Sequence, residues 1–543
     1  MSKMSKKVKE TRKAEVLKPV ENFMGGISYE HNPLLTLKMV SASSIFGEPQ
    51  YYRSGEFAEK NVRDGSYRIN SVLSKYDMLL GKTFNDKNTS EIMEEVIDAA
   101  LSYDFEGTLR WAVELRKDFY MRLNPQVIMV RAAMHEDRAE FNEKNPGLFA
   151  QIQKDVMSRA DEPSSQLTYW LHNKGSKSGI PSILKRTWKN RLESMTRYEA
   201  AKYKNANVGM IDTARISHAK GDLVGELLTT GTIEVDDSQS TWNVLRSNGQ
   251  SWKEILSTIQ LPHMALLRNL RGIFEEVNNK DLCKEQMDQL KAGVVRGKQF
   301  PFRYYQAYKM VSISSVNHKQ LIMDTLEECI DIALENMPKL KGKTVVLTDN
   351  SGSAHGAFTS EYGTVNVAQI NNLSAVLTAK NAEDGEVYTF GDQLKEIPIS
   401  KRNGALIQAK EVDRVGQTVG MGTEHGVWLY LDKIIRNKIH VDNLFIYSDM
   451  QAGHGRLYGT NASQYSKYIV NGHYIDVYKL IEEYRSKVNP KVNVFTVQTA
   501  GYSNVLIPEV MHRGSVLYGW TGKETVYAEQ MIKLWEQAEM KKQ

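Results

Sequence analysis

The chain has 543 residues, 41% of them hydrophobic and 25% charged, with a formal net charge of +5. That length exceeds one ordinary core and calls for two or more domains in a protein of ordinary soluble composition. No apolar run approaches the roughly 20 residues needed to span a bilayer, and the mildly basic balance permits a polyanionic partner without demanding one.

Residues 1–20 are rich in Lys and Arg and have no hydrophobic period. They lack the apolar segment of a secretory leader and read as a flexible basic tail, either a solubilising arm or a nucleic-acid contact. From 21 to 338 the pattern is almost wholly helical. Ile92, Val96, Ala99 and Ala100 form one stripe over 90–101, with Ser90 as a cap. Leu109, Ala112, Val113 and Leu115 repeat it over 108–122, and 127–138 does so again after Asn124-Pro125. Further amphipathic stretches cover 184–203, 212–228, 252–259, 264–277, 280–292 and 317–337. Many short helices joined by short turns suggest stacked helix pairs of irregular HEAT-like kind, ahead of a globular helical domain. Cys283 and Cys329 both lie inside amphipathic helical patterns and read as core thiols of a reducing compartment. A cytoplasmic location is expected.

Pro338-Lys339-Leu340-Lys341-Gly342-Lys343 breaks the helical run and is the expected domain boundary, leaving 339–543 as a second domain. Strand patterns at 345–347, 387–390, 444–448, 492–497 and 516–518 alternate with helical ones at 364–379, 424–436, 475–488 and 524–538. That alternation predicts a parallel, doubly wound sheet, so the fold class is α plus α/β.

The first of these strands, apolar from Thr344 to Leu347, ends in Asp349-Asn350-Ser351-Gly352-Ser353. In open α/β sheets, ligands bind at the carboxyl ends of the strands. The strand 444–448 ends at Asp449, and the Gly-rich loop 416–424 places Thr423 where a helix N-cap is expected. Asp349, Ser351, Ser353, Thr423 and Asp449 thus form a hard-oxygen set suited to Mg²⁺ or a similar divalent cation. Two carboxylates and three hydroxyls leave such an ion short of negative charge, so an open position would attract an acidic group or a phosphate. Taken singly, each piece has a plainer reading: an Asx turn at Asp349-Asn350, a helix cap at Thr423, a strand-end acid at Asp449.

In the helical part the longest basic stretch runs from Lys185 to Lys220. It interleaves Lys185, Arg186, Lys189, Arg191, Arg197, Lys202, Lys204, Arg215 and Lys220 with Trp188, Tyr198, Tyr203 and His218. Cations that follow phosphates beside rings that stack on bases are a single-strand nucleic-acid signature. The plainer reading is a solvated basic face with Trp188 and the tyrosines partly in the core. Arg268 and Arg271 in LPHMALLRNLR, and Arg303 in FPFRYY, add cations beside apolar and aromatic residues.

Asp349, Ser351, Ser353, Thr423 and Asp449 match the metal-ion-dependent adhesion site of the von Willebrand factor A domain, which the second domain resembles. LPHMALLRNL, ARISHAKGDL and QFPFRYYQAYK resemble the TROVE module of the Ro autoantigen and its bacterial Ro-related relatives. The resemblance covers about 22–535, and the order of the two domains agrees. It implies a ring of HEAT-like helices closed by a Rossmann-like A domain, in which the Ser and Thr residues touch the metal and the Asp residues act largely through water. It further implies Y RNA on a basic outer surface and single-stranded 3′ ends of misfolded non-coding RNA in a central hole. Lys202 and His218 fall on family positions tied to RNA contact. A second family cation falls on Ala206, in a loop one residue shorter than in animal relatives, where neighbouring Lys204 is the available substitute. An exoribonuclease such as polynucleotide phosphorylase is an implied partner.

The reading that results is a non-enzymatic RNA-binding scaffold. A Mg²⁺-dependent module that captures an acidic protein ligand is the alternative. A Mg²⁺-dependent nuclease or phosphohydrolase using His355 or His425 ranks last, because the edge supplies few carboxylates for a two-metal site.

Overall fold

The computed structural model describes residues 18–21, 27–30, 32–43, 89–203, 209–236, 238, 240–356, 366–421, 426–448, 466–467, 469–470, 474–499, 506–507, 511–518 and 523–540. Lys18–Glu21 (β1) and Ile27–Glu30 (β2) pair antiparallel ahead of helix Pro33–Ser43. Helices then follow one another from Thr89–Tyr103 to Lys319–Ala333, and many pack on the next helix in sequence or on the one after it. Phe105–Lys117 lies on Leu123–Met134, His263–Glu276 on Lys280–Gly297, and Pro301–Ser312 on Lys319–Ala333.

Two predicted helices are each broken in two, and local chemistry explains both breaks. The stretch 184–203 divides into Ser182–Glu193 and Arg197–Lys202 because Thr196 and Glu199 form a capping box that starts a new helix. The stretch 212–228 divides into Met210–Ser217 and Asp222–Thr230, with His218 at φ 55° and Gly221 at φ 113° turning the chain between them.

The helices Arg138–Lys144, Leu148–Val156 and Glu162–Lys174 lie outside the sequence expectation. The last hides its buried face because that face is polar: Gln166 donates to Gln126 at 2.7 Å and accepts from Gln153 at 2.6 Å and from the Trp188 indole at 2.7 Å. A buried amide that is fully hydrogen-bonded serves as a core residue, although no hydropathy pattern marks it. Pro301–Ser312 and Trp242–Ser247 are also additions.

Beyond Leu340 the chain forms a six-stranded sheet of Leu340–Asp349 (β3), Ala382–Phe390 (β4), Leu394–Ile397 (β5), Asn443–Ser448 (β6), Asn493–Gln498 (β9) and Gly514–Tyr518 (β10). The order is β10-β9-β6-β3-β4-β5, parallel throughout except for β5, which runs antiparallel on the edge. Ile469–Val470 (β7) and Tyr474–Ile475 (β8) pair separately. Four of the five expected strands are present within longer ones, and the expectation at 492–497 is met one residue later by Asn493–Gln498. The edge strand β5 and helix Ala405–Gly416 are new, the former because Leu-Lys-Glu-Ile is short and half charged, as edge strands commonly are.

Alternation sorts the sheet residues onto two faces. Val345, Leu347, Leu444, Ile446 and Val494 pack against helices Gly426–Arg436 and Val477–Lys487. Val346, Phe445, Tyr447, Phe495 and Val497 belong to a core that includes helices Val367–Lys380 and Glu524–Met540 and continues into the helical part.

The helical run meets the α/β part at both of its ends. Helix Pro33–Ser43 packs on β10 and on Glu524–Met540, while Lys319–Ala333 packs on Ala405–Gly416. Elsewhere the Tyr120 and Phe300 rings lie 6.2 Å apart, and the Lys523 ammonium of the α/β part sits 5.6 Å from the Phe300 ring of the helical part. Both cysteines are buried and free, and burial pushes the Cys283 thiol up to about 11 and the Cys329 thiol up to about 12. Among the described residues, no helix is long and apolar enough to cross a membrane.

Candidate functional site

From the central strand β3 the chain crosses to β4 on one side and later to β6 on the other. That reversal is a topological switch point, the place where an open α/β sheet leaves a crevice at its carboxyl edge. β3 ends there at Asp349 and β6 at Ser448, and the Asp349 carboxylate is fully buried. Its Oδ2 accepts from the Ser448 hydroxyl at 2.6 Å, and its Oδ1 accepts from the Ser351 amide at 2.9 Å. The second bond is the Asx turn that the sequence allowed. It folds the loop back so that Ser351, also buried, stands beside the acid.

Asn350 anchors this loop from beneath. Its amide donates to the Phe390 carbonyl at 2.8 Å, and its side chain donates to Thr389 and Asn372, each at 2.7 Å, while accepting from Asn372 at 2.8 Å. Gly352 donates its N–H to the Met421 carbonyl at 2.8 Å, which draws the 417–421 segment against the Asp-x-Ser-x-Ser loop. The oxygen chemistry of Asp349 and Ser351 fits a hard divalent cation. Ser353 lies on the short helix Gly352–Gly356; its side chain is outside the description, as are Thr423, Asp449 and His425 altogether. His355, on the same short helix as Ser353, is half-buried. Among the described residues, no three of His, Cys, Asp and Glu gather as metal ligands.

The basic stretch is only partly available to a ligand. Trp188 is fully buried and hydrogen-bonded to Gln166, so it is a core residue and offers no stacking surface. Arg191 pairs with Glu199, and Arg197 makes a two-pronged pair with Glu226 at 2.9 and 2.5 Å.

Lys202 has a different setting. Its ammonium lies 5.3 Å from the Tyr198 ring and 5.2 Å from the Tyr203 ring, while the Arg159 guanidinium covers Tyr203 from 4.5 Å. Arg159 grips Asp161 through two bonds at 2.9 and 2.8 Å, and Arg122 reaches the same carboxylate at 3.1 Å. Two arginines therefore share one carboxylate beside Lys202 and two tyrosines, and Tyr198 is 37% exposed. Burial, then the nearby Arg159, hold the Lys202 ammonium below the usual lysine value. An ammonium disfavoured by its neighbours gains from an incoming phosphate. Arg122 and Arg159 were not anticipated from the sequence. They stand 80 and 43 residues before Lys202, and nothing local marks them as its neighbours.

Lys202 shares a small satellite core of Ala200, Ala201, Met210, Ala214 and Ala219 with three other predicted RNA-binding residues. Arg215, His218 and Lys220 are exposed on it, with the Lys220 amide donating to Glu193 at 2.7 Å. Lys204 lies outside the described residues. Arg268, Arg271 and Arg303 form a second group on the mutually packed helices His263–Glu276 and Pro301–Ser312. All three are exposed, and Arg271 approaches Glu275 at 3.8 Å.

These features define an architecture class: a succession of paired helices joined at both ends to a Rossmann-like α/β unit with a polar switch-point crevice. Among solved structures, the crystal structure of the Deinococcus radiodurans Ro (Rsr) protein shares this fold. The match has a TM-score of 0.58 at 13% identity and covers 80% of this chain and 93% of that one. No family model and no curated protein sequence matches the chain.

Proposed function

We propose that the chain is a non-enzymatic RNA-binding scaffold. The observation that carries this reading is the cluster of Arg122, Arg159 and Lys202 around Tyr198 and Tyr203, set on a body with the fold of a Ro protein. The cations hold phosphates and the tyrosine faces receive bases, an arrangement for backbone-driven, sequence-tolerant binding. Y RNA on the basic surface with His218, Arg215 and Lys220, and single-stranded 3′ ends of misfolded RNA in a central opening near Arg268, Arg271 and Arg303, are the ligands in this reading. By the resemblance, the bound RNA would tether an exoribonuclease such as polynucleotide phosphorylase, in a cytoplasmic setting.

Arg159→Ala combined with Lys202→Ala is expected to weaken binding of a single-stranded RNA oligonucleotide alike for different sequences. The log–log salt slope should become shallower by about one for each phosphate that the variant no longer neutralises. An unchanged electrophoretic shift at near-physiological salt, with circular dichroism of the folded protein retained, rejects the assignment.

A second reading is favoured by the buried Asp349 at the switch point. Asp349, Ser351, Ser353, Thr423 and Asp449 would hold Mg²⁺, which supplies a positive centre for an acidic group of a protein or for a phosphate. Asp349→Ala that abolishes capture of an acidic peptide while leaving RNA binding intact separates this activity from the first.

A further inference from the structure

Helix Ala405–Gly416 stands between the two parts of the molecule, and its own sequence does not complete it. Gly404 offers no side chain to cap its first turn. The cap comes from the helical part: Asp331 accepts the Ala405 amide through both carboxylate oxygens at 3.2 Å, while also pairing with Lys380 at 2.7 Å. Glu327, one turn earlier on the same helix, faces the same end, with its Oε1 2.7 Å from where a Cβ on Gly404 would stand. The free N–H groups and dipole of one element are thus satisfied by carboxylates from another. Midway along, Lys410 donates to the Tyr308 hydroxyl at 2.7 Å and covers that ring from 4.9 Å.

The other end of the helix reaches the carboxyl edge. Asp413 accepts from Asn372 at 3.3 Å, and Asn372 is the partner of Asn350 in the loop between Asp349 and Ser351. Gly416 packs so closely on Asn350 that a Cβ there would fall 2.2 Å from the Asn350 oxygen. The chain then runs through 417–421 to the Met421 carbonyl that receives the Gly352 amide. Asp413 also bears electrostatically on Tyr305 and Lys309 of helix Pro301–Ser312, the helix that carries Arg303. Asn350 and Asn372 are 1% exposed, so a shift of the Asp349–Ser351 loop is not absorbed by water and passes to their hydrogen-bond partners, Asp413 among them.

We propose that helix Ala405–Gly416 couples the carboxyl edge to the helical body, so that a divalent cation held at Asp349 and Ser351 tightens the body's grip on RNA. The inference rests on both readings given above, the metal at the edge and RNA on the helices. By linkage, the factor by which the cation changes RNA affinity is the factor by which RNA changes cation affinity.

The test compares the full-length wild type with Asp413→Ala and with the closer-shaped Asp413→Asn, each checked for native circular dichroism. Backbone hydrogen exchange is followed by mass spectrometry with and without Mg²⁺ in the absence of RNA. Binding of a labelled single-stranded RNA oligonucleotide is measured under the same two conditions. In the wild type, Mg²⁺ is expected to slow exchange at 349–356, at 405–416 and at 319–333, and to tighten the oligonucleotide about five-fold or more. In the variants, 349–356 still responds, while the response at 319–333 and the gain in affinity disappear. Protection confined to 349–356 in the wild type overturns the coupling and leaves the metal reading intact. No response at 349–356 overturns the metal reading and the coupling with it. Affinity independent of Mg²⁺ despite protection at 319–333, or a full remote response in both variants, removes the helix from the role proposed.

Discussion

His263 illustrates how single positions in the helical part are shaped by partners far along the chain. Its ring lies against Gly293 and Gly297, one turn apart on helix Lys280–Gly297. A Cβ at those positions would stand 2.5 Å from Nδ1 and 2.8 Å from Cδ2. The Nε2 atom meets the Tyr304 hydroxyl at 2.7 Å. Burial first, then Arg296, holds this imidazole below the usual histidine value. Because the proton binds less readily in the folded chain, His263 contributes stability that is complete above the unfolded histidine range and is lost as the pH falls from there through the lower folded value. The thermal midpoint of the wild type should therefore drop from about pH 8 to about pH 5 more steeply than that of His263→Gln, the ordinary window of histidine titration. Equal slopes would mean that the ring takes up its proton freely in the folded state. Cys283 and Cys329, buried and with thiols pushed up to about 11 and about 12, should resist alkylation by iodoacetamide in the native protein and react only once it is unfolded. Rapid native labelling of either, followed by peptide mass spectrometry, would contradict that burial.

At the scale of elements, the residues that matter most are those where two elements come too close for a side chain. In β4, Gly385 faces the end of helix Val367–Lys380, and a Cβ there would lie 2.0 Å from the Ala379 carbonyl oxygen. The obstacle is backbone at the end of a helix whose residues from Val367 to Ala379 are nearly all buried, so it cannot swing aside. Gly385→Ala is expected to cost about 3 kcal/mol or more, in the range of severe overpacking. Denaturant titration measures it, and a loss under about 1 kcal/mol would show that β4 can slide along the helix. The same packing explains why helix Val367–Lys380 is so polar for a buried element. Asn371, Asn372 and Thr378 are all enclosed, and their partners are Thr499, Asn350 and Tyr447.

For the molecule as a whole, the decisive feature is the shared core. Apolar residues from Leu35 through Trp188, from Leu245 to Ala333, and on the Val346–Phe445–Phe495 face of the sheet form one continuous cluster. The cations of the Arg159–Lys202 site border a separate small core built from Leu192 to Ile233, together with Ala160. The helical and α/β parts should consequently unfold together, with calorimetry showing one main transition containing both, because neither can expose its inner face without opening the other. Two well-separated transitions of comparable size would mean that the junction contributes little. The closure at both ends of the helical run, through Pro33–Ser43 and Lys319–Ala333, gives the same expectation from topology.

The amino-acid order alone determined the alternation of strands and helices after Leu340, the apolar stripes of the longer helices, and the Asp-x-Ser-x-Ser turn at a strand end. Each of these depends on neighbours two to four residues away, where side-chain direction follows directly from backbone period. The resemblance of LPHMALLRNL and its companions anticipated the architecture shared with the Deinococcus radiodurans Ro (Rsr) protein. What only the tertiary structure decided is which charged and polar groups meet. Trp188 turned out to be core, held by Gln166, and Arg159 with Arg122 joined Lys202 around the tyrosines. Helix Ala405–Gly416 took its cap from Asp331 and passed Asp413 to Asn372. These meetings join residues tens of positions apart, and an approach of a few ångströms between such groups is set by how helices stack, which no local period encodes.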